Sequence, residues 1–330
     1  MRRIYLFWVV IAILALPACF GQAVVSVKAG LIHYVEGDVS LDGKAVAPKF
    51  GQFPEVKANG ILKTASGRAE ILLSPGVFLR VGEDSSFKMI STKLEDVRLE
   101  LLTGSVLVEC AELNEDTAVT FVRQDSTISL KKNGLYRLES DPAQLLVYDG
   151  RAEITAAGQT LLAAKGRRVA LDGELVATKF DTKLTDSLYR WSNRRAGYMA
   201  LANVSSAKAQ WDRGFRTGIS DWYWNPYLGM VTFIPGRGTI YSPFGYSYYS
   251  PRVVYYAVYA PPPSMNTGGR GFGGSTYNPQ LGYNVSGGRS YDGGSVAASS
   301  GPSAAPAPAA SPRGGEASSG RGGEGGGRNQ

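Results

Sequence analysis

Two-residue alternation punctuated by glycine restricts the fold of this chain more than any other feature. Between residues 62 and 87, Ala69, Ile71 and Leu73 alternate with Arg68 and Glu70; after Ser74-Pro75-Gly76, Val77, Leu79 and Val81 alternate with Phe78 and Arg80. Neighbouring side chains of a strand point to opposite faces, so each run has one face for a core. The pattern restarts after Gly37, Gly104, Gly134, Gly150 and Gly166, and Gly67-Arg68-Ala69-Glu70-Ile71 returns unchanged as Gly150-Arg151-Ala152-Glu153-Ile154. From Gly134 to Gly150 to Gly166 the interval is sixteen residues, one strand out and one back, which signals a β-meander or a coiled sheet. Chance similarity between short hairpins would account for the repeat equally well.

Further strands are expected at 31–35, 39–41, 99–102, 105–110, 119–122, 128–130, 135–138, 145–148 and 168–171. Asp42-Gly43, Asn133-Gly134, Asp149-Gly150 and Asp172-Gly173 carry hairpin-turn chemistry. The expected product is an all-β domain over residues 23–180, a twisted antiparallel meander of solenoid-like character.

Charge settles what the basic balance means. The chain has a net charge of +7, but residues 23–180 hold 19 Lys and Arg against 21 Asp and Glu, while 181–260 hold 9 against 4. The excess base is spread over the later segments, which argues against nucleic acid as a partner. At the start, Arg2 and Arg3 precede an apolar run from Ile4 to Leu16 that ends at Pro17, Ala18 and Cys19. Residues 1–22 therefore read as a secretory signal, with an uncleaved anchor as the alternative. Leu16-Pro17-Ala18-Cys19 also resembles a lipobox, from which Pro17 departs, so Cys19 is a candidate for lipidation, and membrane attachment is expected only through the N-terminus. The expected location is extracytoplasmic: periplasmic, outer-membrane associated or secreted. Cys110 shares a strand face with Val106 and Val108 and reads as a small buried hydrophobe.

The ordered series Thr64-Ala-Ser-Gly-Arg-Ala-Glu-Ile-Leu-Leu, Pro75-Gly-Val-Phe-Leu-Arg-Val, Ser85-Ser86-Phe87, Leu101-Leu-Thr-Gly-Ser-Val-Leu-Val, Asn133-Gly-Leu-Tyr-Arg-Leu, Tyr148-Asp149-Gly150 and Lys165-Gly166 resembles the FecR domain, the extracytoplasmic β module named after the iron-citrate sensor. The likeness covers about residues 30–172 and rests on turn-strand units, without one invariant chemical motif. In iron-responsive members it implies a periplasmic domain that relays receptor occupancy to a sigma factor. This sequence departs from that plan, since no cytosolic anti-sigma region is found before the hydrophobic segment or after it; the module carries over and the signalling role does not follow.

After residue 180 the period changes to 3.6. Asp181 or Thr182 can cap a helix over 181–210, with Leu184, Leu188, Trp191, Tyr198 and Ala202 on one stripe, interrupted by Arg195, and with Arg190, Asn193 and Arg194 facing away. Docking on the sheet is the plain reading; an Arg face for an anionic surface is the sharper one. Residues 211–260 are rich in Trp, Tyr and Pro, and Met230–Ile234 with Thr239–Tyr241 suggest a hairpin around Pro235-Gly-Arg-Gly238. Rings of this size need a surface to cover them. Three destinations stay open: the chain's own β domain and helix, a partner in the envelope, or sugar rings. Trp222, Tyr223, Trp224, Tyr227, Phe244, Tyr248 and Tyr249 form the candidate interaction surface. Residues 261–330 reduce to Gly, Ser, Ala and Pro and are expected to be a disordered spacer, despite RGG-like elements at Arg313 and Arg321.

Chemistry finds little footing. The one histidine, His33, reads as a structural strand residue, and no nucleophile elbow, phosphate loop or zinc ligand set accompanies it. Glu83-Asp84 and Glu95-Asp96 read as solvated turn acids. The sequence thus predicts no catalytic residue, metal or cofactor. The leading expectation is a non-enzymatic envelope protein for interaction or scaffolding, its partner an unidentified envelope protein. The alternative is a peptidoglycan- or polysaccharide-binding module acting through Trp222, Trp224 and Tyr227. Regulation of a sigma factor is a further alternative.

Overall fold

The computed structural model describes residues 29–47, 50–214 and 218–259, with side chains to 257. The export segment, Cys19 and the tail from 261 lie outside the described residues.

Seventeen strands build two facing sheets. In chain order the first nine are β1 (Leu31–Glu36), β2 (Val39–Leu41), β3 (Lys44–Ala45), β4 (Ile61–Thr64), β5 (Arg68–Ser74), β6 (Val77–Val81), β7 (Ser86–Lys93), β8 (Asp96–Thr103) and β9 (Ser105–Cys110). There follow β10 (Val119–Arg123), β11 (Ser126–Leu130), β12 (Gly134–Ser140), β13 (Ala143–Asp149), β14 (Arg151–Ala156), β15 (Gln159–Ala164), β16 (Arg167–Ala170) and β17 (Ala177–Lys179). The inner sheet runs β1-β5-β6-β9-β12-β13-β16-β17 and the outer sheet β15-β14-β11-β10-β8-β7-β4-β2-β3. Pairing is antiparallel except between β8 and β10. From β10 onward the chain lays one hairpin in the outer sheet and the next in the inner one, which is the coiled arrangement that the sixteen-residue interval predicts.

The core fills the space between the sheets. Ile71, Leu79, Val108 and Val147 from the inner sheet meet Phe87, Leu99, Phe121, Ile128 and Ile154 from the outer one, all at most 2% exposed. Cys110 lies among them, and burial pushes its thiol far up, so it is a packing residue. The outer sheet alternates buried and exposed residues as a one-sided sheet should. The inner sheet does not: every residue of β6 is buried, and so are six of the seven in β5. The expectation of one core face per strand fails here because a second layer covers the other face.

Two of the four expected hairpin turns are corners between sheets. Asp42-Gly43, both at positive φ (50° and 76°), closes β2 on β3. Asn133-Gly134 and Asp149-Gly150 instead carry the chain from one sheet to the other. Tyr136 locks the second corner: its hydroxyl donates to the Lys132 carbonyl and accepts from the Arg151 amide at 2.9 Å. Gly150 (φ 93°) passes so close that a Cβ there would sit 2.2 Å from that hydroxyl. β7 is absent from the sequence expectation, because a bulge between Met89 and Ser91 breaks its alternation.

The covering layer starts with helix α1 (Ser187–Asp212). Its N-cap is Asp186, which accepts from the Tyr189 amide at 2.8 Å, and not Asp181 or Thr182; Asp181 closes a separate turn on Lys183. Leu188 and Trp191 pack on Leu107 and Leu135 of the inner sheet, Ala202 is buried, and Arg195 is buried with them. Leu184 precedes the helix and is 71% exposed, and Tyr198 is 54% exposed, so neither belongs to the buried stripe. Next come β18 (Asp221–Asn225), β19 (Met230–Ile234), β20 (Thr239–Tyr241), β21 (Ser247–Tyr249) and helix α2 (Pro251–Tyr259). The expected hairpin of 230–234 with 239–241 does not form: β19 pairs with β18, and β20 with β21. The reason is Asn225, whose Oδ1 accepts from the Tyr227 and Leu228 amides at 3.0 and 3.1 Å and closes the turn before β19. Among the described residues the fold is thus mainly antiparallel sheet with two helices, where the sequence suggested one after residue 180. Ser250 followed by Pro251 was the available signal for the second, since proline suits a first helical position.

Candidate functional site

The face of the inner sheet beneath α1 carries the densest chemistry among the described residues. Glu70, Arg80 and Glu109 stand on the adjacent strands β5, β6 and β9 and are fully buried. Arg80 donates from Nε to Glu70 Oε2 at 2.9 Å and from Nη1 to Glu109 Oε2 at 2.6 Å. From α1, Arg195 Nη2 reaches Glu70 Oε1 at 2.8 Å, with its guanidinium 4.0 Å from the Tyr34 ring centroid. Ser242 donates to Glu109 Oε1, with Tyr248 Oη 3.5 Å from the same oxygen. Arg80 Nη2 has no hydrogen-bond partner among the described residues, and the rings of Phe78 and Phe244 lie 5.4 and 5.8 Å from the Arg80 guanidinium carbon.

His33 belongs to the same row. Its Nδ1 is 2.8 Å from Glu70 Oε1, and its Nε2 accepts the Val231 amide at 2.9 Å. The second bond requires a lone pair on Nε2, so the ring is neutral and the proton sits on Nδ1. Burial is the main cause of its lowered pKa, opposed by the bond to Glu70. Burial alone would raise Glu70, but Arg195, Arg80 and His33 hold it well below the usual carboxylate range. Two carboxylates face two guanidiniums, so the row is neutral overall, and mutual pairing is what makes its burial tolerable.

What this row can do chemically follows from its closure. Both ring nitrogens of His33 are spent, every carboxylate oxygen of Glu70 and Glu109 is engaged, and none of these side chains reaches solvent. It works as a staple between layers, reinforced by Trp191 Nε1 donating to Glu36 at 2.8 Å. Asn203 on α1 adds a second staple, bonding the Phe233 and Tyr249 carbonyls at 2.9 and 3.0 Å and the Tyr249 amide at 2.8 Å.

The seven candidate interaction aromatics are divided by the fold. Trp222 (6% exposed) and Tyr248 (0%) are interior, with ring centroids 5.2 and 6.2 Å from that of Phe78. Tyr223, Trp224, Phe244 and Tyr249 are half-buried; Trp224 packs edge-on to Phe50 and Phe53. Tyr227 alone of the seven is open, at 89%. Trp222, Trp224 and Tyr227 therefore do not make one exposed platform, because the segment uses most of its rings to cover its own inner sheet. Arg195 is likewise unavailable to an anionic surface, and only Arg190 and Arg194 stay outside. Glu83 pairs with Arg68 and Asp96 with Arg98 at the surface, as solvated acids do.

A groove of about 750 Å³ lies away from the ionic row. Its walls are the end of α1 at Gln210 and Trp211, Tyr223 and Ile234 of the β18–β19 hairpin, the loop around Arg237, and the first turn of α2. The sequence expectation did not include it, since its parts are separated by up to 46 positions, from Gln210 to Tyr256, and meet only when α2 forms.

No family model matches the chain, and no curated protein matches it. Two solved structures of a candidate anti-sigma factor from Parabacteroides distasonis align with 37% of this chain, at TM-scores of 0.32 and 0.33 and identities of 11% and 10%. The aligned part spans 59% and 61% of those chains.

Proposed function

We propose that the protein is a non-catalytic, extracytoplasmic binding protein: a FecR-like two-sheet module that carries an aromatic layer and presents the outside of that layer to a protein of the cell envelope. The observation that carries this reading is the division of labour on the inner sheet. Its ionisable groups are closed under α1 and the hairpins, while the far side of the same layer leaves Tyr227, Tyr241 and Ile219 at 89%, 66% and 70% exposure. Large rings left open at the rim of an otherwise self-covered layer are what a partner surface needs. Sigma-factor regulation gains no support from any side-chain arrangement described above.

The test is position-specific photo-crosslinking in intact envelopes. Probes at Tyr227 and Tyr241 are expected to give discrete protein adducts, and probes at the exposed Thr127 and Thr160 of the outer sheet are not. Adducts confined to the outer sheet would overturn the assignment. Mass spectrometry of the mature N-terminus checks export: loss of residues 1–22, or a chain starting at an acylated Cys19, is expected, and an intact Met1 would count against it.

A further inference from the structure

The groove at the start of α2 is built for negative charge. Arg237 and Arg252 line it, both exposed and neither in an ion pair among the described residues, and no Asp or Glu is among its described lining residues. Helix α2 is nine residues long and opens at Pro251, so the amides of Arg252 and Val253 have no acceptor within the helix and the positive end of the helix dipole faces this region.

Two further atoms make the site more than a helix end. Ser250 occupies the position before the helix, where a serine oxygen ordinarily takes a backbone amide of the first turn. Here the residue is 0% exposed and its hydroxyl has no hydrogen-bond partner among the described residues. Gln210, 6% exposed on the opposite wall, has an equally unpartnered Oε1. Orphaned buried oxygens are costly, and both belong to residues that line the groove. A hydroxyl on Ser250 can donate to an anion; the Gln210 oxygen can only accept, and so calls for an O–H or N–H on the ligand. Beside them Tyr256 is 54% exposed, with the Arg252 guanidinium 5.6 Å from its ring centroid. The volume, about 750 Å³, is in the range of small-molecule sites.

We propose that this groove binds an anionic sugar unit. Its carboxylate or phosphate sits at the α2 N-terminus against Ser250, Arg237 and Arg252, a ring hydroxyl donates to Gln210, and the apolar face of the ring lies on Tyr256. The inference goes beyond the partner surface above; the two share only Ile219, at the groove's edge, and the contacts proposed here do not use it, so failure of one leaves the other standing.

Calorimetry on the mature full-length chain tests it, with glucuronic acid, glucose 6-phosphate, neutral glucose and inorganic phosphate as probes. At least one of the two anionic sugars is expected to bind about tenfold or more tighter than glucose and than inorganic phosphate, and which one wins identifies the anion. The double variant R237Q/R252Q is expected to weaken that binding about tenfold and to flatten its salt dependence. Ser250→Ala is expected to weaken it severalfold, while thermal unfolding confirms that the variant folds. Glucose binding as tightly as the charged sugars would overturn the proposal. So would inorganic phosphate matching glucose 6-phosphate, an unchanged affinity in R237Q/R252Q, or no heat from any probe.

Discussion

Two copies of one pentapeptide, Gly-Arg-Ala-Glu-Ile, sit in opposite sheets of this protein and show what five residues can and cannot decide. In both, Ala and Ile point into the shared core: Ala69, Ile71, Ala152 and Ile154 are all 0% exposed. In both, Glu points the other way. For Glu153 the other way is the solvent side, where it meets Lys131 at 3.1 Å with the two side chains 39% and 44% exposed. For Glu70 it is a dry interface with α1, where the carboxylate holds Arg80, Arg195 and His33. Local alternation fixes the face; the layer packed on that face fixes whether the residue is decoration or framework.

The comparison can be broken most sharply at its glutamates. Glu70→Ala strands two buried guanidiniums and is expected to cost about 3–5 kcal/mol in urea unfolding. An effect no larger than that of a surface mutation would mean that water enters the row. The glycine that opens the second copy comes next, set against Gly158 in the turn that follows it. Gly150→Ala is expected to cost about 1–3 kcal/mol, because the residue is at φ 93° and its new Cβ would strike the Tyr136 hydroxyl. Gly158→Ala, at φ 75° with nothing within 4 Å, is expected to lose only about 1 kcal/mol, and equal losses at both positions would remove the Tyr136 lock from the account.

A third difference is pH. The folded His33 is held neutral below its ordinary 6.5, so the unfolded chain takes up that proton first. Stability is therefore full above about 6.5 and falls as pH drops below it, with Glu70 adding to the loss below its ordinary 4.5. His33→Gln is expected to flatten the denaturation midpoint between pH 7 and 5; a slope that persists in the variant would acquit His33. Smallest of all is Glu153→Ala, expected within about 0.5 kcal/mol of the parent because its pair is exposed. A loss comparable to that of Glu70→Ala would erase the distinction between the two sheets.

Much of the two-sheet module was legible because period-2 runs such as Val77–Val81 and Ser105–Cys110 declare their strands without help from the rest of the chain. The ionic row was not, since Glu70 meets residues 10, 37 and 125 positions away and nothing local says that a helix will lie over it. A hint existed: Arg195 interrupts an apolar helical stripe, and Glu70, Arg80 and Glu109 each interrupt runs otherwise rich in Leu and Val. Charges of opposite sign embedded in apolar surfaces are candidates for pairing, but the sequence does not say with whom. The aromatic segment was readable as needing cover, and the choice of cover depended on Asn203 and Asn225, two amides that resemble ordinary loop or helix polar residues until both ends of each are seen to be used.

The bond from the Val231 amide to His33 spans 198 positions, and that span has a bearing on biogenesis. A chain released or clipped after the second sheet is complete would leave Phe78 and the paired charges wet, in a form suited to chaperone capture or clumping. The inner sheet is thus closed by a late segment that adds no strand to either large sheet, and truncated expression products ending near residue 180 should be the least soluble ones.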